Sequence, residues 1–180
     1  SAVMGPRVSA LLERILANDA ALASVLSIVP ERHGIHLAGT DDERARHLSM
    51  IVRDNPTTRI AGNARLLPVG ALFTPDFTAD MTHAAAPLLL DTVLARQADG
   101  TRAERAARFF DAYLHVAIPA IVGLYLRYGI ALEAHQQNTF VVIDEAGMPV
   151  RLVVRDFGDV KIALPTLQAQ GFSIEPVRAG

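Results

Sequence analysis

Two short runs of β-branched residues, separated by a turn segment, constrain the fold of this chain more than any other feature. The runs are TFVVID (139–144) and VRLVVRD (150–156), and the segment between them, EAGMP (145–149), is a turn signal. This pattern predicts an antiparallel β-hairpin. Because a hairpin returns its two outer ends to the same place, we expect the residues before the first strand to lie beside those after the second.

Helical periodicity accounts for most of the remaining chain, and an apolar run rich in turn formers adds one more strand. The predicted helices cover residues 7–18, 42–53, 82–97, 102–128 and 164–169, and the longest ends at Gly129. Residues 31–42 are predicted to form a connecting loop with a short extended piece. The run 65–73 is predicted to be an irregular or edge strand, since Pro68 cannot donate to a β-ladder.

Together these elements predict an α+β fold in which helices pack on a small antiparallel sheet. Residues 1–180 are expected to form one domain, which is long enough to bury a core. Most of the arginines of residues 44–65 are expected to form a solvated helix face; these arginines are Arg44, Arg46, Arg53, Arg59 and Arg65.

Composition and charge exclude several classes of function. The formal net charge is −2 with neither sign in long blocks, which argues against nucleic acid as a partner. The chain has no cysteine, so disulfides and thiolate metal sites are excluded, and the cytoplasm is the expected location. The most apolar segment, 109–129, contains Asp111, His115 and Pro119, so we expect a core helix with a proline kink and no membrane span.

Polar residues with metal- and phosphate-binding chemistry flank both outer ends of the predicted hairpin. Those before the first strand are Glu133, His135, Gln137 and Asn138, and those after the second are Arg155 and Asp156. Carboxylate and amide oxygens are ligands that Mg²⁺ prefers, and Mg²⁺ usually keeps part of its shell for phosphate oxygens. The arrangement therefore predicts a site for a nucleotide with magnesium.

The order of these groups also parallels a kinase site. A histidine-led loop with a downstream Asn138, a hairpin, and then Asp156-Phe157-Gly158 is how kinases hold metal and position phosphates. Kinases place an aspartate base in that loop, whereas this loop has Gln136 and Gln137. A kinase-like phosphotransferase is therefore kept as an alternative, because the base that would deprotonate an alcohol is missing.

The segment YGIALEAHQQNTFVVIDEAGMPVRLVVRDFG (128–158) resembles the signature of siderophore synthetases that work independently of nonribosomal peptide synthetases, the aerobactin-synthetase (IucA/IucC) family. Upstream, RARHLSMIVRDNP (44–56) is similar to the family's arginine–glutamate–asparagine–proline segment, with Asp54 in the glutamate position. Downstream, VKIALPTLQAQG (160–171) extends the similarity.

This resemblance implies an ATP- and Mg²⁺-dependent ligase that activates a carboxylate of citrate or a related acid as an acyl-adenylate. An amine or hydroxyl of a second small molecule would then capture the acyl group. It implies that His135 contacts the phosphates or the acyl-adenylate as the catalytic residue. It also implies ATP contacts and metal ligands. The implied ATP contacts are His135, Gln137, Asn138, Arg155 and Asp156, and the implied metal ligands are Asp156, Asn138 and Glu133.

Two arginines are candidate contacts for an anionic substrate, since Arg59 and Arg65 flank a loop and a guanidinium pairs well with a carboxylate. The family's nucleotide site also includes a segment with histidine, proline and lysine, but the single lysine here is Lys161. We therefore expect a C-terminal part of the catalytic domain. A second alternative is a folded piece that is inactive alone, and uncovered apolar faces predict self-association, with a homodimer as one form.

Overall fold

The computed structural model describes residues 2–35, 47–60, 62–76 and 86–174. Its helices are α1 Met4–Asn18, α2 Ala20–Val25, α3 Leu89–Leu94, α4 Arg102–Ala117, α5 Leu124–Tyr128 and α6 Leu164–Ala169. Its strands are β1 Leu26–Ile28, β2 Glu31–Ile35, β3 Met50–Arg53, β4 Arg65–Pro68, β5 Ile130–Ala131, β6 Thr139–Ile143, β7 Pro149–Val154 and β8 Lys161–Ile162. Short 3₁₀ turns occupy Pro56–Arg59 and Val69–Phe73.

The predicted hairpin is confirmed as the centre of a four-stranded sheet with the order β1-β7-β6-β4. Strands β6 and β7 are antiparallel, with Thr139 opposite Val154, and β4 is an edge strand as predicted from its proline. The prediction of a purely antiparallel sheet was wrong. Strand β1 pairs in parallel with β7, with Leu26 opposite Leu152.

The core lies between this sheet and the helices that cover it. Helix α1 contributes Leu11, Leu12 and Ile15, each at most 1% exposed. From the opposite end of the chain, the core receives the fully buried side chains of Leu124, Leu152, Phe157 and Leu167. The α+β prediction is therefore confirmed in its coarse form, with helices packed on a small sheet.

The long helix predicted over 102–128 is confirmed and combines α4, a π-helical turn at Ile118–Gly123 that contains Pro119, and α5. It begins with a capping box between Thr101 and Glu104 and ends at Gly129, whose φ of 70° needs the conformational freedom of glycine. Within the described residues, it is long and apolar enough to span a membrane by length and composition alone, a test that core helices of soluble proteins also pass.

The expectation of a core helix holds for one face of this segment. The most apolar 18-residue window is 28% buried. Buried positions include Phe109, Val116, Ala120 and Leu124, whereas the other face exposes large apolar side chains. Those exposed side chains are Phe110, Ile118, Val122, Tyr125 and Leu126.

Two helix predictions need correction. Residues 50–53 of the predicted helix 42–53 form strand β3, in which exposed and half-buried residues alternate and Ile51 and Val52 favour an extended backbone. Residues 42–46 lie outside the described part of the chain. The partner of β3 is β2, so the extended piece predicted within the loop 31–42 is a strand at Glu31–Ile35, with a shift in register between Glu31 and His33.

The helix predicted over 82–97 is shorter in the described residues, where it covers Leu89–Leu94, while 82–85 lie outside them. Pro87 precedes the helix. Leu88 is extended there because it pairs with Pro75 in an isolated β-bridge. In the predicted strand 65–73, the strand ends at Pro68 and a 3₁₀ turn follows.

Candidate functional site

The loop before β6 is organised around Asn138, whose side chain is buried and whose residue is 6% exposed. Its Nδ2 donates to the Glu133 carbonyl at 3.4 Å and lies 3.2 Å from His135 Nε2. A carbonyl oxygen only accepts hydrogen bonds, so the contact with Glu133 identifies the Asn138 atom as the amide nitrogen. The amide nitrogen only donates, and His135 Nε2 is therefore the acceptor in the second contact. This geometry corresponds to the His135 tautomer that carries its hydrogen on Nδ1, the ring nitrogen that does not contact Asn138.

Arg155 ties the end of β7 to this loop. Its backbone N–H donates to the Asn138 carbonyl at 3.0 Å, and its Nη2 donates to the Gln137 carbonyl at 3.2 Å. Its guanidinium also lies over the Phe140 ring, 5.4 Å from the ring centroid. The hairpin therefore brings the two flanking groups together, with Arg155 as the direct link between them.

Asp156 is the single described residue other than glycine with a positive φ, which is 69°. Aspartate tolerates this left-handed conformation better than most residues, yet it still costs on the order of 1 kcal/mol. The conformation turns the chain so that the next residue, Phe157, is fully buried while the Asp156 side chain stays 47% exposed. A carboxylate is thus presented to solvent beside the loop.

The structure adds Arg53 to this group. Its Nη2 lies 3.6 Å from Asp156 Oδ2, and its side chain is 30% exposed. The prediction that Arg53 lies on a solvated helix face is wrong, because Arg53 ends strand β3. A signal was present, since Arg53 is the arginine of the RDNP segment that resembles the family motif.

Behind Arg53 lies Glu31, whose side chain is 0% exposed. Its Oε1 accepts from Arg53 Nε at 3.0 Å and from Nη2 at 2.8 Å, whereas its Oε2 has no hydrogen-bond partner. Helix α1 packs directly on this carboxylate at Gly5, where an added Cβ would lie 1.6 Å from Oε2. Glu31 was not among the residues singled out from the sequence.

The two candidate substrate arginines lie in different places. Arg65 pairs with Ile143 at the far end of β6, about 13 Å along the strand from Thr139, so the structure does not bring it to the loop. Arg59 ends the 3₁₀ turn that follows β3 and Asn55.

The described residues contain no group of three or more histidine, cysteine, aspartate or glutamate side chains arranged to hold a metal ion. Mg²⁺ bound with a nucleotide needs fewer protein ligands, because phosphates and waters complete its shell. The carboxylate of Asp156 is 47% exposed and directly follows Arg155, whose N–H donates to the Asn138 carbonyl, so the residues present offer one carboxylate to such an ion. Glu133 is exposed and contributes its carbonyl to the loop.

Comparisons with known proteins match both halves of the chain to family models. Residues 1–74 match the IucA/IucC family, and residues 107–177 match the ferric iron reductase FhuF-like transporter model. The second match covers the hairpin and the loop before it, and the first covers β2 and β3.

Curated relatives extend across almost the whole chain. The uncharacterized protein y4xN of Sinorhizobium fredii is 33% identical over 98% of this chain and 28% of its own length. Staphyloferrin A synthase of Staphylococcus aureus is 30% identical over 92% of this chain and 26% of its own length. The chain thus spans about a quarter of the length of these relatives.

A solved structure shares the fold. The structure of ATP-bound aerobactin synthetase IucA from a hypervirulent Klebsiella pneumoniae superposes with a TM-score of 0.70 at 21% sequence identity. The match covers 93% of this chain and 30% of that protein. At this level of identity, the likeness concerns the arrangement of helices and strands.

Proposed function

Because the chain belongs to the IucA/IucC family, we propose that the protein is a siderophore synthetase that joins a carboxylic acid to an amine or alcohol at the expense of ATP. The acid is citrate or a relative of it. In the first step, a carboxylate oxygen attacks the α-phosphorus of ATP, which forms an acyl-adenylate and releases pyrophosphate. In the second, the nucleophile attacks the acyl carbon and AMP leaves. The proposed location of this reaction is the cytoplasm, where ATP is available.

The observation that carries this proposal is the junction at the open end of the hairpin, where the Arg155 N–H meets the Asn138 carbonyl at 3.0 Å. The imidazole of His135, the guanidinium of Arg155 and the exposed carboxylate of Asp156 lie on the two segments that this junction joins. Adenylation spreads negative charge over the α-phosphate, and fixed cations and N–H donors stabilise such charge. The groups present are suited to that chemistry.

Each residue has a distinct role in the proposed site. His135 donates a hydrogen bond from Nδ1–H to a phosphate or acyl-adenylate oxygen, while Asn138 holds the ring through Nε2. Gln137 and Arg155 contact the nucleotide. Asp156, with Asn138 and Glu133 as further oxygen ligands, would hold Mg²⁺, which neutralises phosphate charge when bound. Arg59 and Arg65 stay candidate contacts for the acid, with Arg59 better placed in the chain because it follows the RDNP segment.

The test uses the full-length protein in a hydroxamate-trapping assay with citrate and related acids, together with calorimetric titration of MgATP. His135→Ala and Asp156→Ala are expected to lower acyl-adenylate formation by 100-fold or more, about the loss that follows removal of one charge-stabilising group. Matched controls are His115→Ala and Asp111→Ala, whose side chains are 75% and 74% exposed on the long helix. The proposal fails if no acid is activated, or if the site variants match the controls.

The nucleotide product separates the synthetase from the kinase-like alternative. The loop, the hairpin and Asp156-Phe157-Gly158 follow in the order of a kinase site, but Gln136 and Gln137 provide no carboxylate base. AMP and pyrophosphate are therefore expected, and ADP with a phosphorylated product would favour the phosphotransferase. The isolated 180-residue chain is expected to give neither product, in keeping with its coverage of a quarter of its relatives. Its self-association stays a prediction.

A further inference from the structure

A buried carboxylate that the proposed reaction does not use stands directly behind the site. Glu31 is 1% exposed and is reached by the guanidinium of Arg53, through Nε and Nη2, at one oxygen only. An ionised carboxylate that loses its partner in such a place is strongly destabilising. Glu31 therefore holds Arg53 tightly, while the exposed part of the guanidinium faces Asp156.

The guanidinium of Arg53 lies close to two carboxylates but at different distances from them. Arg53 Nη2 is 2.8 Å from Glu31 Oε1 but 3.6 Å from Asp156 Oδ2. Charge-assisted hydrogen bonds measure about 2.7–2.9 Å, so the first contact is such a bond and the second is a looser ion pair. The partner that is buried has the short bond, and the partner that is 47% exposed does not.

The packing of α1 keeps Glu31 in this position. The Glu31 backbone N–H donates to Ser9 Oγ at 2.9 Å, and Gly5 leaves space for Oε2 that any side chain would fill. Both Gly5 and Ser9 belong to α1, which is packed in the core through Leu11 and Leu12. The carboxylate is thus anchored by the rigid part of the fold.

We propose that Glu31 is a positioning residue for the synthetase reaction. It draws Arg53 back from Asp156, so that the exposed carboxylate remains available to the Mg²⁺ that enters with ATP. Without the charge of Glu31, Asp156 is the remaining carboxylate partner of Arg53 in this group. The guanidinium then moves closer to Asp156 and competes with the metal for its oxygens. This inference rests on the proposed function, in which Asp156 holds the metal.

The test measures metal affinity directly in the full-length protein. Mn²⁺ replaces Mg²⁺ and its binding is followed by electron paramagnetic resonance in the presence of a non-hydrolysable ATP analogue. Glu31→Gln keeps the shape of the side chain and removes its charge. Its expected effect is a loss of Mn²⁺ affinity of about tenfold or more, as for other residues that orient a metal ligand. Glu13→Gln, which alters the exposed ion pair with Arg32, is the matched control and is expected to change nothing.

A second variant separates positioning from a structural role. Glu31→Gln with Arg53→Gln removes the competing guanidinium and leaves no buried charge, so Mn²⁺ affinity is expected to return to within about threefold of the wild type, a residual difference of roughly 0.65 kcal/mol. A merely structural Glu31 would show no such recovery. The inference is overturned if Glu31→Gln binds Mn²⁺ like wild type, or if the double variant binds as weakly as Glu31→Gln.

The double variant also provides the test if Glu31→Gln alone does not fold, since its Mn²⁺ affinity must then lie within about threefold of the wild-type value. Failure of the proposed function has a different signature. In that case the wild type itself binds neither Mn²⁺ with the nucleotide nor any carboxylic acid for adenylation, which would overturn both proposals together.

Discussion

Asp19 and Glu31 are buried carboxylates that each pair with an arginine, and the difference between these two pairs separates scaffold from site. Asp19 is 8% exposed and uses both oxygens, since Oδ1 accepts from the Leu22 N–H and Oδ2 accepts from Tyr128 Oη and from Arg127. Glu31 uses one oxygen, and the arginine that it binds continues to a third group, Asp156. The first cluster ends at the exposed Arg127 and is called the closed cluster, whereas the second continues through Arg53 to the carboxylate of Asp156 and is called the open cluster.

The contrast shows that a buried carboxylate can join packed helices, as Asp19 does, or can fix the position of a charged side chain at the surface, as Glu31 does. The Asp19 cluster caps α2 and joins it to the end of the long helix, more than 100 residues later in the chain. The Glu31 cluster joins α1 and β2 to β3 and then to the residue after β7. Only the second delivers a charged group to the region where the loop 133–138 meets the hairpin.

Removal of the paired arginine should cause the largest change in the free energy of unfolding, and this change should differ sharply between the two clusters. Arg53→Met leaves Glu31 buried without its cation, which is expected to lower the free energy of unfolding by about 3–5 kcal/mol. Arg127→Met leaves Asp19 two donors and removes a side chain that is 53% exposed, so its effect should be much smaller. Urea denaturation of the two variants beside the wild type measures both. Equal losses would contradict the distinction between a closed and an open cluster.

Acid should weaken the Asp19 cluster in a defined direction. Burial raises the pKa of the Asp19 carboxyl, but hydrogen bonds from the Leu22 N–H, Tyr128 and Arg127 together outweigh it, and the pKa lies below its usual value. A lowered pKa in the folded state means that the carboxylate stabilises the fold above the unfolded pKa of about 3.9, and that this contribution is lost as pH falls through the folded value.

Asp19→Asn sharpens this test. The variant should be less stable than the wild type at pH 7, and the difference should shrink as pH falls below about 4. The measurement is the free energy of unfolding of both proteins between pH 7 and pH 2. A difference that stays constant over this range would show that the charge of Asp19 does not contribute to stability.

The smallest expected change comes from one hydrogen bond of the closed cluster. Tyr128→Phe removes the donor that lies 2.9 Å from Asp19 Oδ2 and keeps the ring that packs edge-on against Phe172. Because Asp19 keeps its other donors, we expect a loss of about 1 kcal/mol. Thermal unfolding of the variant measures it, and a loss as large as that of Arg53→Met would show that the cluster acts as one cooperative unit.

Local sequence determined several elements of this protein correctly. The β-branched runs around EAGMP predicted the hairpin, Gly129 predicted the end of the long helix, and Pro68 predicted an edge strand. The family resemblance is confirmed by the IucA/IucC model over residues 1–74 and by the similarity to staphyloferrin A synthase, whereas residues 128–158, which carried most of the resemblance, lie within the match to the FhuF-like model. In each case the signal is contained within a few tens of neighbouring residues, where backbone preference and turn chemistry act directly.

Pairings between distant residues were decided only by the tertiary structure. Residues 50–53 have helical spacing in the sequence but are extended because β2 offers them a partner, and β1 joins the sheet in parallel through β7. Likewise, Arg53 meets Glu31 and Asp156, 22 residues before and 103 residues after it in the sequence. Such contacts depend on which surfaces the whole fold brings together, and local propensity does not contain that information.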